Sequence, residues 1–231
     1  MKAYKYRGAD QIPFALDILL KQRLYCSDWR VLNDPLEGSF SYSYPTLSRS
    51  GNALNTDYFD DLADLIVDEK MKKKICSMSA TISSPLLWAH YASGFTGLAL
   101  EFEIPDEDDR VRRVMYTEDP TVDLCAGGEP GPLATHILSS KFRAWSYEEE
   151  IRIIQDEVWF RLPNPVTRVI CGPRMNSAMF EALALICKAK DISISKLHID
   201  HDGIDPTGSR SPTNQLLTAW KDRNEKTEES A

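Results

Sequence analysis

Residues 75–82 read Ile-Cys-Ser-Met-Ser-Ala-Thr-Ile, and this stretch decides the fold. Apolar Cys76 and Met78 alternate here with the hydroxyl side chains of Ser77 and Ser79. Successive residues of a β-strand point to opposite faces of the sheet, so the alternation predicts a strand with one apolar and one hydroxyl face. We expect Cys76 and Met78 to be buried. The hydroxyl face is either the exposed surface of an antiparallel sheet or the floor of a polar pocket.

Strand-like alternation recurs along the chain, with helical spacing between the strands. Strands are predicted over 3–7, 24–26, 97–104, 112–116, 149–155, 158–162, 166–171 and 192–199, with 149–155 and 158–162 paired as a hairpin. Helices are predicted over 13–23, 53–73, 85–91 and 133–144 and from Asn176 onward, and 120–132 is a loop. Because strands outnumber helices and several are consecutive, we expect an α+β protein with a mostly antiparallel sheet and flanking helices.

The composition indicates a globular domain followed by a polar tail. Of the 231 residues, 42% are hydrophobic and 27% are charged, which are ordinary values for a globular protein. We expect a single α+β domain over 1–204. Residues 205–231 are polar, and the last of them are mostly charged without an aromatic residue, so we expect a disordered tail there.

Charge and cysteine content narrow the function classes. A net charge of -8 excludes a broad basic surface for nucleic acid but not a local basic groove. The five cysteines are isolated and odd in number, which argues against a disulfide framework. No apolar run approaches the ~18 residues of a membrane span, and the first residues lack the apolar segment of a secretory signal. We expect a cytoplasmic protein without a membrane partner.

Two charged segments carry side chains suited to ligand binding or catalysis. The planar guanidinium of Arg7, beside Gly8, can bind two oxygens of a phosphate or carboxylate, although a surface ion pair is the simpler reading. Glu148 and Glu150 lie two apart on a predicted strand that continues to Arg152, and such carboxylates repel each other unless a cation or ligand intervenes. We expect both to face solvent or a pocket and to contribute little packing. The alternative is a solvated charged edge.

Two further segments are candidates for the rim of a site. Trp88 and Tyr91 with His90 between them could stack on a ligand ring, or they could be core aromatics with a structural histidine. Residues 33–35, Asn-Asp-Pro, predict a turn. The turn either approaches a cleft that contains the other candidate residues or is a plain connector. The His and Asp residues over 198–202 lack metal-ligand spacing, so no metal site is predicted.

A set of segments spanning most of residues 4–172 resembles an uncharacterised bacterial family, domain-of-unknown-function family 2971. The matching segments are the tyrosine-rich first strand with Arg7, Leu24–Asp28, Asn33–Glu37, Ile75–Ser79, Pro85–Ala92, Gly97–Phe102 and Lys141–Arg152. The family name implies no function.

Three blocks also resemble, in order, the motifs of mono-ADP-ribosyltransferases of the Arg-Ser-Glu type. Residues 6–8, Tyr-Arg-Gly, are similar to an aromatic-arginine strand, and residues 77–79, Ser-Met-Ser, are similar to a Ser-Thr-Ser strand. Residues 148–154, Glu-Glu-Glu-Ile-Arg-Ile-Ile, are similar to a Glu-x-Glu motif that runs into an apolar strand. This resemblance implies an ADP-ribosyltransferase-like fold with a split, mainly antiparallel sheet, and NAD as a substrate.

The resemblance also implies roles for individual residues. Glu150 would stabilise the positive charge that develops on the ribose when its bond to nicotinamide breaks, and Glu148 would orient the incoming nucleophile. The NAD-binding residues would be Arg7, Ser77 and Ser79, with Trp88, His90 and Tyr91 against the nicotinamide or the acceptor. Arg7, Ser77 and Glu150 should then meet in one cleft.

The function implied is transfer of ADP-ribose from NAD to an unknown acceptor, protein or nucleic acid, by a toxin or phage-defence effector. Two alternatives stay open. One is a non-catalytic ligand- or protein-binding module whose groove contains Arg7 and Trp88. The other is a metal-dependent nuclease, with these residues around a divalent ion: Glu101, Glu103, Glu148, Glu150 and Lys141. Nothing in the sequence indicates the oligomeric state.

Overall fold

The computed structural model describes residues 1–43, 57–124, 128–200 and 203–206. It shows a mixed α+β protein with a mainly antiparallel open sheet and flanking helices, so the predicted fold class is confirmed at that level. The strands are β1 (Lys2–Arg7), β2 (Arg23–Tyr25), β3 (Ser27–Asp28), β4 (Ser41–Ser43), β5 (Lys74–Ser79), β6 (Leu98–Glu103), β7 (Val111–Arg113), β8 (Met115–Thr117), β9 (Thr121–Asp123), β10 (Ser140–Phe142), β11 (Glu150–Gln155), β12 (Trp159–Arg161), β13 (Arg168–Cys171), β14 (Ser193–Lys196), β15 (His198–Asp200) and β16 (Gly203–Asp205). The helices are α1 (Ile12–Lys21), α2 (Asp57–Lys72), α3 (Pro85–Tyr91), α4 (Pro130–Leu138) and α5 (Ser177–Ala189).

The chain divides into two compact units. The first unit contains Met1–Lys5, Leu16–Thr81 and Phe102–Pro165. The second contains Tyr6–Ala15, Ile82–Glu101 and the described residues from Val166 onward. The expected single domain over 1–204 stays a prediction, and the expected disordered tail lies almost wholly outside the described residues.

Strand β5 is the centre of the first unit. It pairs antiparallel with β1, β3 and β11, and β11 pairs antiparallel with β7. The alternation of residues 75–82 correctly predicts this strand, and Cys76 and Met78 are buried as expected. In the register of β5 with β11, Ser77 lies opposite Arg152 and Ser79 lies opposite Glu150.

Helices α2 and α4 bury an apolar cluster in the first unit. Helix α2 has acidic residues in its first turn and Lys70 and Lys72 in its last, as the helix dipole favours. Its buried residues lie three to four apart, so they share one face, and they pack against α4. The cluster consists of Leu62, Ala63, Ile66, Leu124, Ala134 and Ile137, with the half-buried Phe40, Phe59, Val122 and Leu133 against it.

The second unit contains three paired strands. Strand β13 pairs antiparallel with β6 and parallel with β14. Asn176 caps α5, its side chain accepting hydrogen bonds from the backbone N–H of Ala178 and Met179 at 3.0 and 3.2 Å. This agrees with the predicted start of the helix.

Several sequence-based expectations need correction. The strand predicted over 75–82 ends at Ser79, and the strand predicted over 192–199 is two strands, β14 and β15. The loop predicted over 120–132 contains β9 and the first residues of α4. The hairpin of 149–155 with 158–162 is wrong, because β12 pairs with β2 while β11 pairs with β5 and β7. The single strand predicted over 112–116 is two strands, β7 and β8. The helix predicted over 133–144 starts at Pro130 and ends at Leu138, and β10 follows it. Among the described residues, no helix is long and apolar enough to cross a membrane.

Candidate functional site

Five charged side chains form a buried ion network in the first unit: Glu37, Lys141, Glu148, Glu150 and Arg152. Arg152 on β11 is its centre, and its side chain has no exposed surface. The guanidinium donates to Glu150 through Nε and Nη2 at 2.8 and 2.9 Å. It donates to Glu37 through Nη1 and Nη2 at 2.6 and 2.9 Å, and also to the carbonyl of Leu138 at 2.6 Å. Arg152 therefore joins two carboxylates from distant parts of the chain.

Lys141 on β10 supplies the second cation of the network. Its Nζ donates to Glu148 Oε2 at 2.6 Å and to Glu150 Oε2 at 3.3 Å, and it lies 4.7 Å from the centre of the Trp145 ring. The two carboxylates of the Glu-x-Glu motif are thus held together by a shared ammonium group. This resolves the repulsion expected from their spacing.

The backbone conformation changes between these two carboxylates. Glu148 ends the short 3-10 turn Arg143–Glu148, Glu149 has φ +42°, and β11 begins at Glu150. The two glutamates therefore do not share one strand as expected. Both are about 95% buried, so neither faces bulk solvent. Their carboxylates are bound by the cations of the network instead.

A tight turn after Asp34 brings Glu37 to the network. Asp34 accepts hydrogen bonds from Leu36 N through its side chain at 2.9 Å and from Glu37 N through its carbonyl at 3.0 Å. The turn ends at Gly38, which has φ +65° and whose carbonyl accepts from the buried Lys70 ammonium. The predicted turn at 33–35 thus places Glu37 against Arg152, which also binds Glu150.

Burial and charge set the ionisation of the network. Burial acts to raise the pKa of Glu150, but the charge and hydrogen bonds of Arg152 outweigh it, with help from Lys141, and lower that pKa to about 2. Burial raises the pKa of Glu37 because Arg152 offsets only part of the desolvation. The pKa of Lys141 is raised, since Glu150 and Glu148 outweigh the opposing effect of burial. Glu150 is therefore ionised, and Glu37 has the higher pKa of the two carboxylates.

The serine pair predicted from the sequence lies at this network. Ser77 lies opposite Arg152 in the pairing of β5 with β11, and its hydroxyl is among the groups that lower the pKa of Glu150. Ser79 donates to the carbonyl of Glu148 at 2.6 Å and accepts from Thr81 N at 3.0 Å. Ser77 is half-buried, whereas Ser79 is buried and fixes the backbone beside Glu148.

The other predicted site residues belong to the second unit. Trp88 is fully buried, donates to the carbonyl of Ile82 at 2.8 Å, and packs against Tyr6 and Phe95. It is a core side chain in this structure, the alternative that the sequence left open. A role for it against a ligand stays a prediction.

Three candidates of the second unit are accessible to different extents. His90 is exposed on α3, and its ring lies 6.4 Å from that of Tyr91, which is half-buried. Arg7 is half-buried at the end of β1, and Gly97 lies so close to the Arg7 carbonyl that a β-carbon would meet it at 2.1 Å. The convergence of Arg7 with Ser77 and Glu150 stays a prediction.

Two charged groups considered for a nuclease have other partners. Glu101 accepts from the guanidinium of Arg168 at 2.8 Å within the second unit, and Lys141 is bound in the ion network. In the described ranges, no group of three or more His, Cys, Asp or Glu side chains is arranged to hold a metal ion.

Some network members have only weak signals in the sequence. Arg152 follows the glutamate run, Lys141 is a candidate only in the nuclease alternative, and Glu37 follows a turn motif without a marked pattern of its own. A cationic side chain inside the apolar run 151–154 is the signal for Arg152, because arginine is seldom buried unless it is paired.

No family model, curated protein or solved structure matches this chain. The two family resemblances seen in the sequence therefore stay predictions.

Proposed function

We propose that this protein is an ADP-ribosyltransferase-like enzyme that cleaves NAD at the Ser77–Glu150 site and transfers ADP-ribose to an acceptor. One observation carries the proposal. Ser77 and Ser79 on β5 lie opposite Arg152 and Glu150 on the paired strand β11, and Ser79 also donates to the carbonyl of Glu148. The serine block and the glutamate block of the motif therefore meet at one network in the first unit.

The ionisation of Glu150 suits the proposed chemistry. When the bond between ribose and nicotinamide breaks, nicotinamide takes the bonding electrons and positive charge develops on the ribose. An ionised carboxylate beside the ribose stabilises that charge, and a pKa of about 2 keeps Glu150 ionised at neutral pH. Glu148, held at the same lysine, is placed to orient the nucleophile.

The residues of the first unit fit the ribose better than the phosphates of NAD. Ser77 can donate and accept hydrogen bonds, as ribose hydroxyls require. Both cations of the network are already bound to carboxylates, so they are poor partners for a pyrophosphate. The phosphates are assigned to Arg7, as the resemblance implies.

Release of nicotinamide from ring-labelled NAD tests the proposal. The purified protein should release label, and Ser77→Ala should reduce the rate by about tenfold or more, as for other single hydrogen-bonding groups near a transition state. Ser27→Ala is the matched control, because Ser27 is a half-buried serine of the same sheet that bonds only the Ile75 carbonyl. Release that is absent in the wild type, or equal in Ser77→Ala, would reject the proposal.

A second function, non-catalytic ligand binding, is favoured by the burial of Glu148 and Glu150. About 5% of each of these two residues is exposed, and both carboxylates are bound to cations. The network could therefore serve to stabilise the fold. Under this function NAD binds without turnover or does not bind at all. Calorimetric titration with NAD, run beside the release assay, separates the two functions.

A further inference from the structure

We infer that the first unit contains a separate binding site for a flat aromatic compound with an uncharged or cationic polar head. The site is a cavity of about 290 Å³ beside the ion network, between β8, β9, α4 and the segment before β4. Its volume is at the lower end of the ~300–1,000 Å³ of small-molecule sites, which suits a ligand of one or two rings.

One side of the cavity is apolar and rigid. Phe40, Val122 and Ile137 line it, and all three belong to the apolar cluster between α2 and α4. Met115, which is about half exposed, completes this side at the mouth of the cavity. Aromatic rings bind such walls because they bury a large apolar surface without many rotatable bonds to fix.

The other side is polar and leads to the ion network. Ser39, Thr117, Pro120 and Ser140 line the cavity and also line a neighbouring space of about 20 Å³, enough for one water molecule. That smaller space is bounded by Asp34, Glu37 and Lys141 as well. A polar head placed among the hydroxyl groups would therefore lie toward the network.

Tyr116 connects the lining of the cavity to the ion network. Its oxygen accepts a hydrogen bond from Glu150 N at 2.8 Å, and the residue is among those that line the cavity. Burial and the neighbouring glutamates raise the pKa of Tyr116, so the hydroxyl beside Glu150 keeps its proton.

The charge around the cavity selects against anions. Among its described lining residues there is no Lys or Arg, while Asp119 is a carboxylate and His136 is the other ionisable group besides Tyr116. Around the cavity, the carboxylates still outnumber the cations: Asp34, Glu37, Glu148, Glu150 and Asp119 against Lys141, Arg152 and the buried Lys70, whose ammonium lies 4.8 Å from the centre of the Phe40 ring. A carboxylate or phosphate head would meet net negative charge in a region of low dielectric.

Three probes of the same shape test this selection. Benzamidine, benzamide and benzoate share a ring and differ in having a cationic, neutral or anionic head. Calorimetric titration should show binding of benzamidine and benzamide, with benzoate weaker by about tenfold or more, a factor that corresponds to about 1.4 kcal/mol. Benzoate binding as tightly as benzamidine would overturn the inference.

Variants locate the probes. Met115→Trp fills the mouth of the cavity and should weaken benzamide binding by about tenfold, whereas Met179→Trp, at another exposed methionine, on α5, should leave it unchanged. The carboxylate of Asp119 should make benzamidine bind more tightly than benzamide, and Asp119→Asn should reduce this difference in affinity. The variant also provides a second test should Met115→Trp not fold. Binding unchanged in both Met115→Trp and Asp119→Asn would overturn the site.

The inference is independent of the proposed NAD cleavage. Ser77→Ala, which disables the proposed transferase site, should leave benzamide binding intact because Ser77 does not line the cavity. A protein that binds benzamide in this way but releases no nicotinamide would support this site and reject the transferase. Loss of benzamide binding in Ser77→Ala would instead place the probe at the NAD site and overturn the inference.

Discussion

Arg152 illustrates, at the scale of one residue, how a buried charge is tolerated. Its guanidinium makes hydrogen bonds to two carboxylates and a carbonyl while none of its surface reaches solvent. Removal of such a cation leaves charged partners buried without compensation, which costs far more than the intact pair contributes. The residue is thus a structural requirement for keeping Glu150 ionised.

Arg152→Met should lower the free energy of unfolding by about 3–5 kcal/mol, because Glu37 and Glu150 lose their shared partner. Urea denaturation followed by circular dichroism measures this change. Arg161→Met is the matched control, since Arg161 is exposed on β12, and it should change stability by no more than about 0.5 kcal/mol. Similar midpoints for the two variants would show that the network is not structural.

Glu37 should make stability depend on pH in the opposite direction from Glu150. The pKa of Glu37 is raised in the folded protein, so its favourable contribution is complete below the ordinary value of 4.5 and is lost as pH rises through the raised pKa. The pKa of Glu150 is lowered to about 2, so its contribution is present above 4.5 and is lost as pH falls toward 2.

The stability of the wild type should therefore increase relative to Glu37→Gln as pH is lowered from 7 toward about 5. Urea titrations of both proteins at several pH values give this difference directly. If the wild type instead loses stability relative to Glu37→Gln as the pH is lowered, the pKa of Glu37 is lowered, not raised.

At the scale of elements, the turn Asp34–Gly38 links the network to the rest of the first unit. Glu37 binds Arg152, while Gly38 accepts from the buried Lys70, whose pKa is lowered by burial. A β-carbon at Gly38 would meet the Trp29 ring at 2.9 Å, and its φ of +65° is unfavourable for other residues. Gly38 is thus needed both for the turn and for its close packing.

Gly38→Ala should destabilise the protein by about 1–3 kcal/mol, because backbone strain and a steric contact act together. Gly94→Ala is an informative control: Gly94 has φ +61° but nothing within 4 Å of an added β-carbon, so only the backbone strain applies. Thermal unfolding of the two variants should rank Gly38→Ala as the less stable. The reverse order would show that the turn and the Trp29 ring adjust to the added methyl group at little cost in stability.

Local patterns predicted elements better than they predicted partners. The alternation around Ser77 and the cap at Asn176 correctly placed β5 and α5, because strand and helix periodicity are properties of adjacent residues. The pairing of β12 with β2 and the contact of Glu37 with Arg152, 115 residues apart, have no local signal. The sequence analysis therefore named the serines, the two glutamates and Lys141, but it did not predict that Arg152 binds Glu37 or that Lys141 joins the two glutamates.

At the scale of the whole molecule, the two units contain the groups that the proposed chemistry needs. The first unit contains the cavity, and it contains the ion network with Ser77 and Ser79 on the paired strands β5 and β11. The second unit contains Arg7 and the exposed His90. The proposed transferase needs Glu150 as an ionised carboxylate, and the network supplies that state.

The pH dependence of nicotinamide release, measured without added acceptor over the range where the protein is folded, tests this claim most directly. If Glu150 acts as the stabilising carboxylate with its pKa near 2, the rate per folded molecule should stay constant from about pH 7 down to about pH 4. A rate that falls with a midpoint near the ordinary value of 4.5 would contradict the account, as would the absence of release at every pH.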